Sequence, residues 1–407
     1  MDKKKKPELL MPAGSPELLK VAVHYGADAV YLGDETMSLR AKAQNFSVPE
    51  IRQAVEYAHA HGVKVYVAAN IFAHTSDLAK AMKLFLQLKP IQPDALIISD
   101  PGVFSLARSL VPEIPVHIST QANNTNFATY DFWYRQGVRR VVAARELTLD
   151  ELASIRENIP GDMEIEAFVH GAMCISYSGR CLISSFLTGR DANQGACTHP
   201  CRWSYSLMEE SRPGEYMPVE EDERGTYLYH SRDLCMVDRL DDVIASGVDS
   251  LKVEGRMKNA LYAATVARAY RHAIDDLSID PEIYRDNAPG YLEEVSKCSN
   301  RTFCTGFYYG RPGSEAQVYD STKTRTEYVY LGTLMKEDGR NAFIQKNKFS
   351  VGDEIELVRP DETVSAHVLS MTDEDGASME SCPHASRKVY IELDCECREL
   401  DIMRKPE

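Results

Sequence analysis

The sequence predicts an α/β protein: a (β/α)8 TIM-like barrel followed by a small C-terminal all-β, barrel-type domain. Three observations carry this. Eight short apolar runs alternate with longer segments of helical period, the mark of repeated βα units. The link between the seventh and eighth runs is far longer than an ordinary strand-to-helix connection, and such loops are commonly functional. Beyond about residue 326 the pattern changes to short alternating strands, which suits a small barrel or sandwich.

The eight runs fall at 9–12, 29–32, 63–69, 95–99, 116–119, 140–144, 164–169 and 250–254. The first intervening helix is expected to start at Ser15, a good N-cap, and to stop at Gly26. Further helices are expected over 48–61 with Gly62 as terminator, 77–88, 148–158 and 260–279. Eight parallel strands favour a closed barrel over a doubly wound sheet, which usually has fewer units. The domains are therefore drawn as a barrel over 1–280 with a Cys-rich insertion at 170–235, a connecting segment at 281–326, and the β domain at 327–407. Short strands are expected there at 328–332, 341–344, 354–358 and 389–393.

In a barrel, chemistry collects where the strands end and the loops begin, which directs attention to 33–45, 121–126, 170–202 and 255–258. The composition narrows the classes. With 407 residues, 44% hydrophobic and 26% charged, the chain can bury a large core. No apolar run approaches the length needed to span a bilayer, and the start MDKKKKPELLMPAG lacks a signal-like apolar stretch, so a cytoplasmic protein without membrane partners is expected. A net charge of −15 argues against broad adhesion to nucleic acid but leaves room for a local basic cleft.

The chain has 10 cysteines, which in a reducing compartment point to metal or redox chemistry rather than a disulfide framework. Cys174, Cys181, Cys197 and Cys201 all fall in the long loop, separated by six, fifteen and three residues. Four thiolates suit a [4Fe-4S] cluster or tetrahedral zinc, and spacing alone leaves both open; the lack of any CxxC knuckle lowers the zinc reading. Cys235 is a fifth candidate if the loop folds back. Cys298, Cys304, Cys382, Cys395 and Cys397 fit no four-ligand spacing and read as structural, the last two on one face of a terminal strand.

The stretch EAFVHGAMCISYSGRCLIS, from Glu166 to Ser184, resembles the signature of the collagenase-like peptidase family of unassigned catalytic type. GACTHPCRW, RPGEYMPVEEDERGTY, SLKVEGRMKN, the N-terminal LLMPAGSPELLKVAVHYGADAVYLG and NRTFCTGFYYG extend the similarity over nearly the whole chain. The resemblance implies a barrel, a cysteine-held cluster, and oxygen-independent hydroxylation of RNA or of a quinone precursor. It is nearest to the branch that converts the wobble uridine of tRNA to 5-hydroxyuridine with prephenate as co-substrate, and relatives that work in pairs imply a partner subunit of the same family.

On that reading a base of the anticodon loop must be splayed into the barrel mouth. The two carboxylates of prephenate call for cationic forks, for which Arg40, Arg180, Arg202 and Arg256 are candidates, Arg40 and Arg256 foremost. His170 is a candidate proton shuttle, and Glu254 a base or the partner of Arg256. Asn45, Gln121 and Asn123 offer groups for substrate binding, and Tyr177 an aromatic face on which a base could stack. Each has a plainer reading, as an ion-pair partner or a hydrogen-bonded loop corner. A peptidase is the alternative activity, and hydroxylation of rRNA or a small aromatic substrate another. No HExxH and no GxSxG occurs, and four cysteines on one metal would leave no position for a hydrolytic water.

Overall fold

A computed structural model describes residues 6–39, 45–174, 181–203, 206–208, 216–218, 230–312, 316–318, 325–383 and 385–407. Eight parallel strands form the barrel: β1 (Glu8–Pro12), β2 (Ala29–Gly33), β3 (Lys64–Ala69), β4 (Ala95–Ile98), β5 (Val116–Ile118), β6 (Arg140–Val142), β7 (Glu164–Ala172) and β8 (Ser250–Val253). Each pairs with the next, and β8 pairs with both β7 and β1, so the sheet closes. Every predicted barrel strand is present, within three residues at each end.

The helices are set by local chemistry. Ser15 accepts the Leu18 N–H to start α1 (Pro16–His24), and capping boxes of Ser47 with Glu50 and of Thr148 with Glu151 start α2 (Val48–Ala60) and α6 (Leu149–Glu157). Between these lie α3 (Leu78–Leu88), α4 (Pro101–Leu110) and α5 (Phe127–Arg135). In the insertion, α7 (Ile183–Thr188) ends on Gly189, whose φ of 66° is the left-handed conformation glycine tolerates. Before β8 comes α8 (Leu240–Ala245), and after it α9 (Ala260–Ile279).

The segment 281–326 is more than a connector. It opens with α10 (Pro281–Ser296), which packs along α9, and its strand Phe303–Cys304 pairs with Asp233–Cys235, which in turn pairs antiparallel with the end of β7. The insertion is thus closed at its root.

The C-terminal domain is an antiparallel, barrel-like sheet of β9 (Tyr328–Thr333), β10 (Met335–Glu337), β11 (Arg340–Ile344), β12 (Glu354–Val358), β13 (Thr363–Thr372), β14 (Lys388–Leu393) and β15 (Ile402–Pro406). The strand order is β9-β15-β12-β13-β14-β11-β10, around its own apolar core. Cys395 and Cys397 lie beyond β14 in irregular chain, where a strand was expected. The domain is fixed to the barrel by Arg268, which donates to the carbonyls of Arg359 and Glu362, and by Glu294, which pairs with Arg268 and Arg404.

Candidate active site at the barrel mouth

Two adjoining cavities open where the barrel strands end. The inner one, of about 50 Å³, is lined by Tyr31, Asn70, Gln121, Arg145, Phe168, Lys252, Glu254 and Arg256 among others. The outer one, of about 330 Å³, is lined by Cys174, Cys181, Cys197 and Cys201 together with Met173, His199, Met257, Lys258 and Arg301. Thr120, Gln121, Arg145 and Glu254 line both and form the passage between them.

Alternation along the strands places these groups. On β7, Glu166 and Phe168 point into the barrel, and on β8 Lys252 lies opposite Phe168. Lys252 Nζ donates to Glu166 Oε1 at 2.7 Å and sits 4.5 Å from the centre of the Tyr31 ring. Arg145, just past β6, lies flat over Phe168 at 3.9 Å, donates to the Ala172 carbonyl at 3.1 Å and pairs with Glu254 at 3.5 Å. Arg256 is buried, and its fit depends on two glycines. A Cβ at Gly14 would stand 1.8 Å from the Arg256 carbonyl, and one at Gly33 2.0 Å from its guanidinium. Three cations therefore face the inner cavity against the single carboxylate of Glu254, and Lys252 is already held by Glu166. Such a lining favours anions and polar ring edges over apolar ligands.

The cysteines are carried by a short, well-pinned stretch. Cys174 follows β7 by two residues, and Cys181 precedes α7. Asn193 donates to the Cys181 carbonyl at 3.3 Å, while its own carbonyl accepts the Phe72 N–H at 3.1 Å, tying the insertion to the loop after β3. Ser184 Oγ accepts the Thr198 N–H at 3.0 Å, which joins α7 to the turn carrying Cys197 and Cys201. His199, with φ of 56°, turns its N–H toward Cys197 Sγ at 3.3 Å. Four thiols on one wall system, one of them already accepting a backbone amide, form a donor set suited to a thiolate-ligated centre. Among the described residues no three His, Cys, Asp or Glu side chains stand close enough together to hold a single ion.

The sequence matches the model of peptidase family U32 over residues 14–318 and that of the U32 C-terminal domain over residues 326–404. The chain belongs to peptidase family U32. Among its U32 relatives, it is 38% identical over 405 residues to tRNA hydroxylation protein P1 of Bacillus subtilis, covering 98% of this chain and 95% of the relative. It is 37% identical over 447 aligned positions to tRNA hydroxylation protein P of Escherichia coli, covering 98% and 97%. It is also 32% identical over 369 residues to a protein named collagenase from Porphyromonas gingivalis, covering 87% and 86%.

Within this U32 barrel the residues singled out from sequence divide clearly. Gln121, Glu254, Arg256 and the four cysteines line the paired cavities. Asn123 adopts a left-handed turn conformation and donates to the Gln121 carbonyl at 3.3 Å, so it props Gln121 rather than lining a cavity. Asn45 sits half-buried beside Phe46, whose N–H bonds to Gly33, and lines neither cavity. Arg40, Tyr177 and Arg180 lie outside the described residues, and Arg202 is placed in a short 3-10 turn without a described side chain.

His170 does not face the mouth, contrary to the proton-shuttle expectation. The register of β7 against β8 shifts between Lys252 and Val253, so His170 lies opposite outward-facing Val253 and joins the layer between barrel and helices. There it packs among Tyr262, Tyr270 and Phe303, and burial pushes its pKa down to about 4. Cys235 lies beside it, buried, with its thiol pushed up to about 12 by burial, and does not line the cysteine cavity. The residues the sequence reading missed are Arg145, Lys252 and Asn70. Arg145 stands at the end of β6 and Asn70 at the end of β3, positions that the strand-end rule itself marks once every loop is considered.

Proposed function

We propose that this chain is an iron-sulfur tRNA hydroxylase of the cytoplasm, forming 5-hydroxyuridine at the wobble position with prephenate as co-substrate. The observation that carries the reading is that Cys174, Cys181, Cys197 and Cys201, far apart in sequence, line one cavity at the barrel mouth of a chain alignable nearly end to end with tRNA hydroxylation proteins. Those four thiolates would hold a [4Fe-4S] cluster. A single tetrahedral zinc is the alternative occupant of the same four thiolates, and the lack of a CxxC knuckle favours the cluster. When bound, such a cluster supplies one-electron chemistry.

The protein's own residues bind and orient. Gln121 can read the edge of a flipped pyrimidine at the passage between the cavities, because an amide offers both a donor and an acceptor. Arg145, Lys252 and Arg256 can take the carboxylates of a small acid in the inner cavity, where Arg145 would exchange Glu254 for the ligand. Arg40, Arg180 and Arg202 remain candidates for the rest of that acid or for the RNA backbone, with Tyr177 for base stacking. Catalytic proton movement falls to Glu254, whose carboxylate borders both cavities, rather than to His170. A partner subunit of the same family completes the proposal.

The name of the Porphyromonas gingivalis relative favours a second reading, proteolysis of collagen. Both are tested together. Deleting the gene should abolish 5-hydroxyuridine in the tRNA of the host, and restoring it with the wild-type gene but not with a Cys181→Ser form should bring the nucleoside back. Unchanged 5-hydroxyuridine in the deletion strain, or gelatin cleavage by the pure protein that survives Cys181→Ser, would reject the hydroxylase reading.

A further inference from the structure

The protein is acidic as a whole, and among the described residues more than half of the lysines and arginines are ion-paired where they stand. In the C-terminal domain Arg359, Arg398, Arg404 and Lys405 are all held by carboxylates. Arg340, Lys346, Lys348 and Arg387 are different: all are exposed, and among the described residues none has a carboxylate within ion-pair distance, although Arg340 lies across the hairpin from Glu337 and shares its field. They also fall together. Lys346 and Lys348 occupy the loop leaving β11, and Arg387 leads into β14, the neighbouring strand. Gln345 N–H donates to the Arg387 carbonyl at 2.8 Å and the Gln345 carbonyl accepts Ser386 N–H at 2.8 Å, which fixes the two loops side by side. Arg340 begins β11 and lies over the Tyr390 ring at 3.7 Å, extending the stripe across the neighbouring strands β11 and β14. Lys388 belongs to the same stripe, half-buried and paired with Glu337 at 2.6 Å.

The loop of Lys346 and Lys348 is tied toward the mouth end of the barrel. Lys346 N–H donates to the Leu331 carbonyl at 2.9 Å, and Asn347 donates to the Tyr330 carbonyl at 2.7 Å. Tyr330 and Thr333 hydroxyls in turn donate to Glu17 at 3.2 and 3.0 Å. Glu17 lies in the first turn of α1, and the helices of a βα barrel begin at the mouth end. A chain of hydrogen bonds therefore links the loop of Lys346 and Lys348 to the turn that opens α1 at the mouth end of the barrel. Unpaired cations gathered on one edge of an otherwise acidic domain cost repulsion between like charges, and they suit a partner that brings closely spaced negative charge.

We propose that this basic edge of the C-terminal domain is a second RNA contact, which takes the phosphate backbone of the same tRNA whose loop enters the barrel mouth. The inference rests on the tRNA reading above and adds the surface that holds the body of the RNA. It reads no sequence. The contact is to phosphates, so it supplies affinity and orientation, and base selection stays at the mouth.

The test uses the full-length protein and a fluorescently labelled, unmodified tRNA transcript, with binding followed by anisotropy over a series of salt concentrations. Wild-type protein is compared with Lys346→Glu/Lys348→Glu/Arg387→Glu, and with Arg52→Glu/Lys83→Glu/Arg108→Glu, which makes the same charge change on the barrel helices. The basic-edge variant should bind at least about tenfold more weakly than the control variant near 0.1 M salt, and the slope of log Kd against log salt should fall by about two to three, one unit or slightly less for each lost phosphate contact. A milder Lys346→Gln/Lys348→Gln/Arg387→Gln form, with unchanged thermal unfolding, should show an intermediate loss. Equal affinity and slope in the basic-edge and control variants would overturn the inference while leaving the tRNA reading intact. No tRNA binding by wild type would overturn the tRNA reading and this inference with it. Vesicles containing phosphatidylserine form the last arm: capture of wild type through the same residues, with tRNA affinity unaffected by their loss, would reassign the edge to a membrane surface.

Discussion

The base and the mouth of the barrel both bury charge, yet they treat it differently. At the base, Arg140 reaches Glu8, Glu164 and Glu166, Lys252 reaches the other oxygen of Glu166, and the Tyr66 hydroxyl donates to Glu8 at 2.8 Å. Each charge has its counter-charge, although His117 Nδ1, against the Tyr66 ring, is buried without a hydrogen-bond partner among the described residues. At the mouth, Arg145 Nε, Gln121 Oε1 and Asn123 Oδ1 are buried without a hydrogen-bond partner among the described residues. Such atoms occur elsewhere in the fold, as at Tyr130 and Gln345, but Arg145 and Gln121 line the cavities, where a ligand can offset their desolvation. The difference separates a closed network that specifies the barrel from an open one prepared for a ligand.

The comparison breaks first at Glu166. Glu166→Ala leaves Lys252 and Arg140 buried with too little negative charge, and losing one partner of a buried pair typically costs about 3–5 kcal/mol. Chemical unfolding should register a loss of that order; a change under about 1 kcal/mol would show that the base is not the structural half.

Acid comes next. His170 is buried with its pKa near 4 against an ordinary value of 6.5, so the unfolded chain takes up the proton first as pH falls. Its contribution is intact above pH 6.5 and is lost progressively down to about pH 4, by roughly 3 kcal/mol at most. His117, buried in the barrel and also held well below its ordinary pKa by burial, acts in the same direction. His170→Gln should flatten the fall in unfolding free energy between pH 6.5 and 4 without a matching change in the pH profile of tRNA hydroxylation. A shifted activity profile would return His170 to the catalytic set.

At the mouth the expected signature is reversed. Gln121→Ala should lower hydroxylation by about tenfold to a hundredfold while stability changes by less than about 1 kcal/mol, because its amide oxygen is not spent on the fold; Arg145→Met should lower activity alike, with a stability loss of about 1–2 kcal/mol for its bonds to Ala172 and Glu254. Stability losses as large as that of Glu166→Ala would erase the distinction. The smallest effect is expected at Cys235, where Ala removes one buried sulfur from the core at a cost of about 1–2 kcal/mol and leaves iron content unchanged.

Much of this was legible in the sequence, for identifiable reasons. The barrel strands are short apolar runs whose ends are marked by caps and glycines such as Ser15, Thr148 and Gly62, so their order could be read directly. Helix α10 was hidden because Pro289 and Gly290 fall within it, and a proline inside a helical pattern reads as its end. The four cysteines were legible from their clustering in one loop. The face of His170 was not, because it was read as the first residue beyond the seventh strand, whereas β7 runs on to Ala172 and a register shift against β8 turns His170 outward. Arg145 was overlooked because the loop after β6 is short and carries no motif, although in space it lies between both cavities.

The measurement that bears most directly on the account is iron and acid-labile sulfide analysis of protein purified without oxygen, beside its Cys174→Ser, Cys181→Ser, Cys197→Ser, Cys201→Ser and Cys235→Ala forms. About four irons and four sulfides per chain are expected in wild type and Cys235→Ala, with marked loss in each of the other four. A colourless protein carrying one zinc, or iron that persists when any of the four cavity cysteines is replaced, would contradict it.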